Sequence, residues 1–419
     1  MLKFSFLGGA QEVGKSLIRM EFNGKSVILD AGVKLSEPVE YPHTPKSVDA
    51  LILTHAHMDH SGMIPALHKK QSFPVYGTEL TFEISHILQR DFVNVGKLKR
   101  EKVPYSEKDI DRMITSEIIT DYGRKVKLFG NIEFEFFDAG HIPGSASVLL
   151  DADGRKIFYT GDINTGDTRL QNGTILPEHA DIVITESTYG DRSHPDRKKT
   201  ENAFLDKVKE VTDRGNVALV PVFAVGRTQE TLLILQDANL NVPVYLDGMG
   251  KTITRLTMQY SGCVRDAEKL HAAASSAIWV ENERARRDIC DEPCVIVTSA
   301  GMLDGGPVLS YLHKIRKNKG DCVLLTGYQT EDSNGRLLLD KGYVVDAMRR
   351  KKIKIECEVH QFDFSAHADR EGLESIVKRL NPEHVICVHG DAEVCEEFAE
   401  GLHDYKTYVP KIGGNIAIE

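Results

Sequence analysis

The sequence lacks the features that mark several common classes of protein. No apolar run approaches the roughly 20 residues that a membrane-spanning helix needs, so we expect no membrane segment. Residues 1–7 alternate in character and run into two glycines, which predicts a first β-strand and no signal peptide. The seven cysteines are scattered and form no Cys-x-x-Cys pair. This pattern indicates neither a disulfide framework nor a thiolate zinc site, and it favours a reducing, cytoplasmic setting.

The sequence also lacks an excess of positive charge. Lysine and arginine number 52 against 62 aspartates and glutamates, which gives a formal net charge of -10. Proteins that hold nucleic acid through a generally basic surface have the opposite balance. Two local basic runs, at 314–319 and 349–354, are consistent with either a solvated surface or a track for an anionic ligand. Any nucleic acid would therefore have to be held locally.

A cluster of histidines is the most informative feature that is present. The segment HAHMDH at residues 55–60 places four potential metal ligands within six residues, directly after a strand predicted at 48–54. In an extended segment, His-x-His places two imidazoles on the same side. Imidazole and carboxylate groups bind zinc or manganese. A polar turn with incidental histidines is the alternative, but this density of ligand types favours a metal site.

Similar side chains recur further along the chain at one topological position. Each of the following comes just after a predicted strand: His141, Asp162, Glu186 and His389. His367 lies in a turn before a predicted helix. Side chains at the carboxyl ends of strands form the active sites of α/β proteins. Together with the 55–60 segment, these positions supply the seven ligands that two metal ions need.

The order of predicted elements indicates an α/β protein. Short apolar runs alternate with helical segments, and from about residue 200 longer helix–strand alternation predicts a parallel sheet with crossover helices. The polar segment 91–127 is predicted to be mostly helical. Without an internal repeat or a low-complexity linker, the pattern favours two α/β units, the second inserted into the first.

The ordered motifs resemble a known superfamily. HAHMDH, AGHIPGS (139–145) and YTGD (159–162) resemble the metallo-β-lactamase superfamily. TESTYGD, PVFAVGRTQE, TSAGMLDGG, FSAHAD and VHGD further resemble its β-CASP branch, closest to archaeal ribonucleases related to the cleavage-and-polyadenylation endonuclease, with RNase J next. The resemblance implies an αββα metallo-β-lactamase sandwich with an inserted Rossmann-like β-CASP domain. Its expected limits are 1–190 and 353–419 for the sandwich and 191–352 for the insert.

The resemblance also implies two zinc ions per chain, with manganese as an alternative. One zinc ion would be held by His55, His57 and His141. The other would be held by Asp59, His60 and His389, and Asp162 would bridge the two. Asp30, at the end of an early strand, would orient the cluster through hydrogen bonds, although an aspartate before Ala31-Gly32 also suits a plain turn.

The implied activity is that of a zinc-dependent ribonuclease. A hydroxide activated by the dinuclear zinc would attack an RNA phosphodiester and leave a 5′-phosphate and a 3′-hydroxyl. Asp59, Glu186 and His367 are the expected catalytic residues, with Glu186 orienting His367 to protonate the departing 3′ oxygen. In this family, a histidine at position 389 is typical of members that act on RNA. The mode could be 5′→3′ exonuclease, endonuclease or both.

Contacts to RNA are expected mainly from the insert. The candidate phosphate-binding residues are Arg227, Ser299, Gly301 and Ser365, although glycines near helix starts are also common for packing reasons. Tyr189 and Phe223 could stack on a base or be packed. The resemblance suggests a homodimer and membership of an RNA-decay or processing complex.

Two other functions stay open at this point. A small-molecule hydrolase of the same fold, such as a thioesterase, would not need an insert of roughly 150 residues. A non-catalytic RNA-binding subunit would be expected to lack some of the seven ligands, all of which are present.

Overall fold

The fold is described by a computed structural model that covers residues 1–331, 333–346 and 351–419. Arg349 and Arg350, in the second basic run, lie outside the described residues. Two compact units divide the chain. The first unit contains residues 1–167, 173–193 and 366–419, and the second unit contains residues 168–172 and 194–365.

The first stretch of the chain supplies most of the first unit. Its strands are β1 (Leu2–Gly8), β2 (Leu17–Phe22), β3 (Lys25–Leu29), β4 (Ala50–Ile52), β5 (Val75–Gly77), β6 (Glu117–Ile119), β7 (Val126–Phe129), β8 (Ile132–Asp138), β9 (Ala146–Ala152), β10 (Arg155–Tyr159) and β11 (Ile182–Glu186). Its helices are α1 (Met58–Ser61), α2 (Ile64–Lys70), α3 (Glu79–Lys99) and α4 (Glu107–Ile114).

The middle of the chain forms the second unit, and the last part returns to the first. The strands of the second unit are β12 (Val217–Pro221), β13 (Val244–Asp247), β14 (Ile278–Trp279), β15 (Cys294–Thr298), β16 (Cys322–Leu325), β17 (Tyr343–Asp346), β18 (Lys351–Lys354) and β19 (Glu358–Gln361). Its helices are α5 (Arg197–Asp213), α6 (Arg227–Gln236), α7 (Gly250–Thr257), α8 (Ala267–Ser276), α9 (Pro307–Ile315) and α10 (Asn334–Lys341). The final elements are α11 (Arg370–Leu380), β20 (His384–Val388), α12 (Ala392–Gly401), β21 (Lys406–Tyr408) and β22 (Asn415–Ile418).

Two sheets form the centre of the first unit. Among the described residues, each has seven strands, in the orders β22-β1-β2-β3-β4-β5-β6 and β21-β20-β11-β10-β9-β8-β7. Phe4, Phe134 and Phe136 belong to one buried cluster shared by both sheets. Residues of α2 to α4 pack with the first sheet and residues of α11 and α12 with the second. This is the predicted αββα sandwich, in which each sheet buries both faces.

The second unit is built on one parallel sheet. In the part of the chain that the structure describes, its order is β14-β13-β15-β12-β16-β19 and each pairing is parallel. The three central strands β15, β12 and β16 are fully buried and rich in Val, Ile and Leu, as expected when helices cover both faces. Strand β19 pairs with β16, so the compact second unit extends to residue 365, and the predicted domain limits stay a prediction.

The prediction of a mostly helical segment at 91–127 was wrong in its second half. Helix α3 ends at Lys99 and α4 at Ile114, and β6 and β7 follow. Both strands are short and only partly buried, and each pairs with a strand of its own sheet, so the local pattern of apolar residues carried no signal for them. Strand β9 was also not predicted. Within the described residues, no helix is long and apolar enough to span a membrane.

A buried carboxylate organises one edge of the second unit. Glu230 on α6 is 2% exposed and forms an ion pair with Arg197 at the start of α5. Its two carboxylate oxygens also accept hydrogen bonds from the backbone N–H groups of Arg169 and Leu170, at 3.0 and 2.7 Å. Residues 168–172 are far from 194–365 in sequence, so this carboxylate joins the separate segment to the sheet domain.

Replacing Glu230 by alanine should therefore destabilise the protein strongly. The change removes the acceptor of two backbone N–H groups and one of the two carboxylates that pair with Arg197, which keeps Glu201. Each buried donor left without a partner costs about 1–3 kcal/mol. Denaturant unfolding measures the change, with E268A as a control because Glu268 is an exposed glutamate on α8. Equal stability of the two variants would contradict this account of Glu230.

Candidate metal centre

The predicted ligands of the 55–60 segment are placed by a strand and a very short helix. His55 and His57 follow β4, and Asp59 and His60 lie in α1. The turn packs tightly on residues 30–33, because a Cβ at Gly32 would lie only 1.6 Å from the carbonyl oxygen of Asp59. Glycine is therefore required at position 32.

The other ligands come from three further strand ends. His141 follows β8, Asp162 follows β10 and His389 follows β20. The loop after His141 is fixed from α3, since the hydroxyl groups of Thr78 and Thr81 both donate to the carbonyl oxygen of Gly144, at 2.7 and 2.8 Å. All seven predicted ligands thus lie in the first unit.

The seven side chains form two sets whose potential ligand atoms converge. The first ligand set is His55, His57, His141 and Asp162, and the second ligand set is Asp59, His60 and His389. Within each set, the ligand atoms lie within 4.8 Å of one another. Nε2 of His141 and Nδ1 of His57 are 3.2 Å apart, so their lone pairs can point at a common centre. Each set could hold a metal ion.

Asp162 belongs to the first ligand set and also reaches the histidines of the second. Its Oδ2 atom is 3.4 Å from Nε2 of His55 and 3.7 Å from Nε2 of His141. Its Oδ1 atom is 3.2 Å from Nε2 of His60 and 2.8 Å from Nδ1 of His389. One carboxylate oxygen therefore faces each ligand set, which is the arrangement that a bridging carboxylate needs.

Three of the imidazoles are oriented by hydrogen bonds on the side away from the centre. Nδ1 of His141 is 2.8 Å from the carbonyl oxygen of Ala366. Nδ1 of His60 is 2.7 Å from Oδ2 of Asp30, and Nδ1 of His55 is 3.0 Å from Oγ1 of Thr54. An acceptor at Nδ1 fixes the proton there and leaves the lone pair of Nε2 for a metal.

Asp30 connects two of these imidazoles. It accepts hydrogen bonds from the backbone N–H and hydroxyl of Thr54, both at 2.8 Å, and from the hydroxyl of Tyr159 at 2.9 Å. Because the Thr54 hydroxyl donates to Asp30, it can accept from His55. Asp30 thus orients His60 directly and His55 through Thr54. Its left-handed backbone (φ 56°) is a strained conformation of the kind that clusters at functional sites.

The sequence singles out Asp30 as a candidate but not its partners Thr54 and Tyr159. Both stand in segments that had been singled out, directly before HAHMDH and at the start of YTGD. The available signal was that strands next to the ligands are buried, so their hydroxyl groups must find partners. The sequence alone does not say which acceptor they meet.

The pKa values of the ionisable groups in the centre are shifted in opposite directions. Burial lowers the pKa of His57 to about 3 and takes the pKa of His141 well below its ordinary value. Burial also opposes protonation of His389, but Asp162 outweighs it and raises that pKa to about 10. Burial would raise the pKa of Asp162, but His60 and His389 hold it well below its ordinary value. The buried carboxylate charge therefore needs positive charge beside it, from protons or from metal ions.

Two buried nitrogen atoms in the centre have no hydrogen-bond partner among the described residues. They are Nε2 of His55 and Nε2 of His389, one in each ligand set. An unpaired buried polar atom is costly unless its lone pair is used. The donor set of imidazole nitrogens and carboxylate oxygens fits the preferences of zinc. The residues present thus fit a metal centre.

Glu186 and His367 form a pair beside the first ligand set. Nδ1 of His367 is 2.9 Å from Oε2 of Glu186, and Oε1 of Glu186 accepts a hydrogen bond from the backbone N–H of Ile163 at 2.7 Å. Burial alone would lower the pKa of His367, but the Glu186 carboxylate raises it above its ordinary value. The His367 ring lies 4.6 Å from the ring of His141, and its side chain is 22% exposed. It can therefore hold a proton close to the centre.

The four candidate phosphate-binding residues all belong to the second unit. Arg227 begins α6, and its backbone N–H donates to the carbonyl oxygen of Val225. Ser299 follows β15, and its hydroxyl accepts a hydrogen bond from the backbone N–H of Met249 at 3.0 Å. Gly301 lies further along the same loop, and Ser365 is the last residue of the unit. Their role in binding RNA stays a prediction.

Replacing Tyr159 by phenylalanine should weaken metal binding without unfolding the protein. The change removes one of the donors that hold Asp30 and leaves the two from Thr54, so the carboxylate that orients His60 and His55 is held less firmly. Loss of such a supporting hydrogen bond typically weakens metal affinity about 10- to 100-fold. Competition with a chromophoric chelator measures the affinity, and Y76F is a matched control because Tyr76 is buried in the same core. Unchanged affinity in Y159F would contradict the role assigned to Tyr159.

Three family models match successive parts of the chain. A β-lactamase superfamily domain matches residues 25–210, and a Beta-Casp domain matches residues 228–338. A Zn-dependent metallo-hydrolase RNA specificity domain matches residues 352–410.

Similar proteins carry names that refer to RNA. "Probable RNase MJ4" from Methanocaldococcus jannaschii is 40% identical over the full length of both chains. "RNase aCSPSF2" from Saccharolobus solfataricus is 35% identical, covering 92% of this chain and 79% of its own. "Transcription termination factor FttA" from M. jannaschii is 34% identical, over 98% and 70% of the two chains. A solved structure of a protein of unknown function from Enterococcus faecalis V583 is 15% identical over both full chains, with a TM-score of 0.62, and shows likeness of fold alone.

Proposed function

Because this chain belongs to the β-CASP family of metal-dependent ribonucleases, within the metallo-β-lactamase superfamily, we propose that it hydrolyses RNA phosphodiester bonds at the centre formed by the two ligand sets. The products would carry a 5′-phosphate and a 3′-hydroxyl. The single observation that supports this most is Asp162, with one carboxylate oxygen facing each set. A bridging carboxylate suits two cations held close enough to act on one phosphate.

The ligand sets would hold two zinc ions, with manganese as an alternative. His55, His57 and His141 would bind one, and Asp59, His60 and His389 the other, with Asp162 shared. When bound, such ions supply Lewis-acid charge and a nucleophile at neutral pH. The chain holds three of the five imidazoles in fixed orientations, so little rearrangement is needed on binding the phosphate.

His367 would protonate the departing 3′ oxygen. Glu186 holds Nδ1 of His367 at 2.9 Å, and Nε2 would carry the proton that is transferred. Glu186 is in turn held by the N–H of Ile163, so the acid is aimed by two successive hydrogen bonds. A positioned acid with an orienting carboxylate contributes about 10²–10⁴-fold to the rate.

We further propose that the enzyme cleaves RNA both internally and from the 5′ end. The test uses one single-stranded RNA, labelled at its 5′ end and carrying either a monophosphate or a triphosphate. Release of labelled mononucleotide from the monophosphate form alone supports the 5′→3′ exonuclease, and internal fragments from both forms support the endonuclease. On family resemblance, we place this activity in the cytoplasm, in a homodimer that acts in RNA processing or decay.

The same assay separates the two other functions. Cleavage must stop with a chelator and return when zinc is added, and metal analysis should find about two ions per chain. If the RNA is not cleaved and a thioester is hydrolysed, the small-molecule hydrolase is favoured. Absence of both metal and cleavage, with RNA still bound, would favour a non-catalytic RNA-binding subunit.

A further inference from the structure

Two exposed aromatic side chains lie at one edge of the second unit. Phe223 is 36% exposed and Tyr328 is 42% exposed. Phe223 lies just after β12 and Tyr328 just after β16, and these two strands are parallel neighbours in the sheet. The carboxyl ends of parallel strands meet at the same edge, so the two loops are adjacent. Large apolar side chains in this unit are otherwise mostly buried, which makes the pair conspicuous.

Two glycines lie close to the ring of Phe223. A Cβ at Gly301 would lie 2.9 Å from the backbone nitrogen of Phe223 and 3.4 Å from its Cδ2. A Cβ at Gly327 would lie 3.6 Å from Cε2 of the same ring. Bare backbone from two loops therefore borders one side of the ring. Tyr328 follows directly after Gly327, which places the second aromatic residue beside the first.

Hydrogen bonds hold these loops in place. Nε2 of Gln329 donates to the carbonyl oxygens of Gly301 and Gly327, at 3.3 and 3.2 Å. Nε2 of Gln361 donates to the carbonyl oxygen of Gly327 at 3.0 Å. The carbonyl oxygen of Phe223 itself accepts from the hydroxyl of Thr228 at 2.8 Å. The aromatic rings thus stand on a loop framework that is ordered before any ligand arrives.

Tyr189, the other aromatic residue considered from the sequence, is different. It is 6% exposed, with the guanidinium of Arg192 over its ring at 5.3 Å and the ring of His367 at 6.0 Å. It is packed and offers no open face. Of the two residues singled out in the sequence, Phe223 is the one that is accessible.

We propose that Phe223 and Tyr328 form a nucleobase-stacking subsite for single-stranded RNA. The proposal rests on the proposed function and deepens it, because it says how this enzyme recognises the chemistry of its substrate. Every base has a flat face, so stacking on an aromatic ring is tolerant of sequence and requires unpaired bases. It also suits a chain with a net charge of -10, because stacking does not depend on a basic surface.

The test compares KM and kcat of the metal-loaded enzyme with those of F223L and Y328L. Leucine keeps an apolar side chain but removes the flat ring. On intact single-stranded RNA, we expect each variant to raise KM about tenfold with kcat unchanged, because a stacked base strengthens binding about 5- to 150-fold. On RNA of the same length with abasic sites in place of bases, wild type and variants should have the same high KM.

Salt dependence separates stacking from phosphate contact. Loss of stacking should lower affinity equally at all salt concentrations, so that the slope of log affinity against log salt stays that of wild type. I278A is the control, since Ile278 is 50% exposed in the same unit without being aromatic. An equal loss on abasic RNA, or a changed slope, would overturn the stacking subsite. Variants that cleave RNA like wild type would also overturn it, while leaving the ribonuclease activity intact.

Discussion

Replacing Asp162 by asparagine is expected to abolish most of the RNA cleavage. The variant keeps the size of the side chain and one carbonyl oxygen, but it removes the negative charge between the two ligand sets. Lewis-acid stabilisation by a metal is worth several kcal/mol in the transition state, so losing its geometry should lower kcat by about 10³–10⁴-fold. Steady-state cleavage of a labelled RNA measures the loss.

Metal content tells how the activity of D162N is lost. If Asp162 bridges two ions, metal analysis should find fewer than two per chain, because an amide oxygen is a poor bridge between cations. D153N is the matched control: Asp153 precedes β10, the strand that leads to Asp162, but it is exposed. A D162N variant that retains both ions and normal turnover would show that Asp162 is not the bridge.

Candidate ligands can be named from the sequence because metal chemistry restricts residue type. Few side chains bind zinc, and HAHMDH concentrates four of them at the end of a strand. His141, Asp162 and His389 share that position relative to their strands, and the structure places them in the same unit. What the sequence could not supply is the set of partners on the far side of each imidazole, because Thr54, Tyr159 and the Ala366 carbonyl meet them only after folding.

The fold class was predictable for a similar reason, whereas the strand pairings were not. The α/β rhythm is a property of local apolar pattern, whereas the pairing of β19 with β16 is a long-range contact. That single pairing keeps residues 353–365 in the second unit. Strands β6 and β7 could not be predicted because they are short and only partly buried, so their sheet partners decide their conformation.

The acidic net charge and the centre are consistent once the carboxylates are located. Asp30, Asp59 and Asp162 lie in the centre, where His60 and the other imidazoles face them. Two divalent ions would reverse the local charge where a phosphate would bind. The overall charge of -10 includes these three carboxylates and therefore says little about the local charge at the site.

Replacing His367 by alanine is expected to lower kcat by about 10²–10⁴-fold while leaving metal content unchanged. His367 is outside the two ligand sets and converges separately with Asp162 and Glu186. Because its Nδ1 is bound to Glu186, we expect that its loss does not release an ion from either set. E186Q should act in the same direction but more weakly, because the imidazole remains and only its orienting charge is lost. H403A, at an exposed histidine of the same unit, is the control.

A change of leaving group distinguishes an acid from a merely structural histidine. In an RNA whose scissile 3′ oxygen is replaced by sulfur, the departing thiolate is stable without a proton, so an acid contributes little. H367A should then cleave this substrate at nearly the wild-type rate, although it is severely impaired on ordinary RNA. A structural role would leave H367A equally slow on both substrates. Loss of metal from H367A would instead mean that His367 supports the ligand sets. The role of Glu186 in orienting an acid would then be wrong as well.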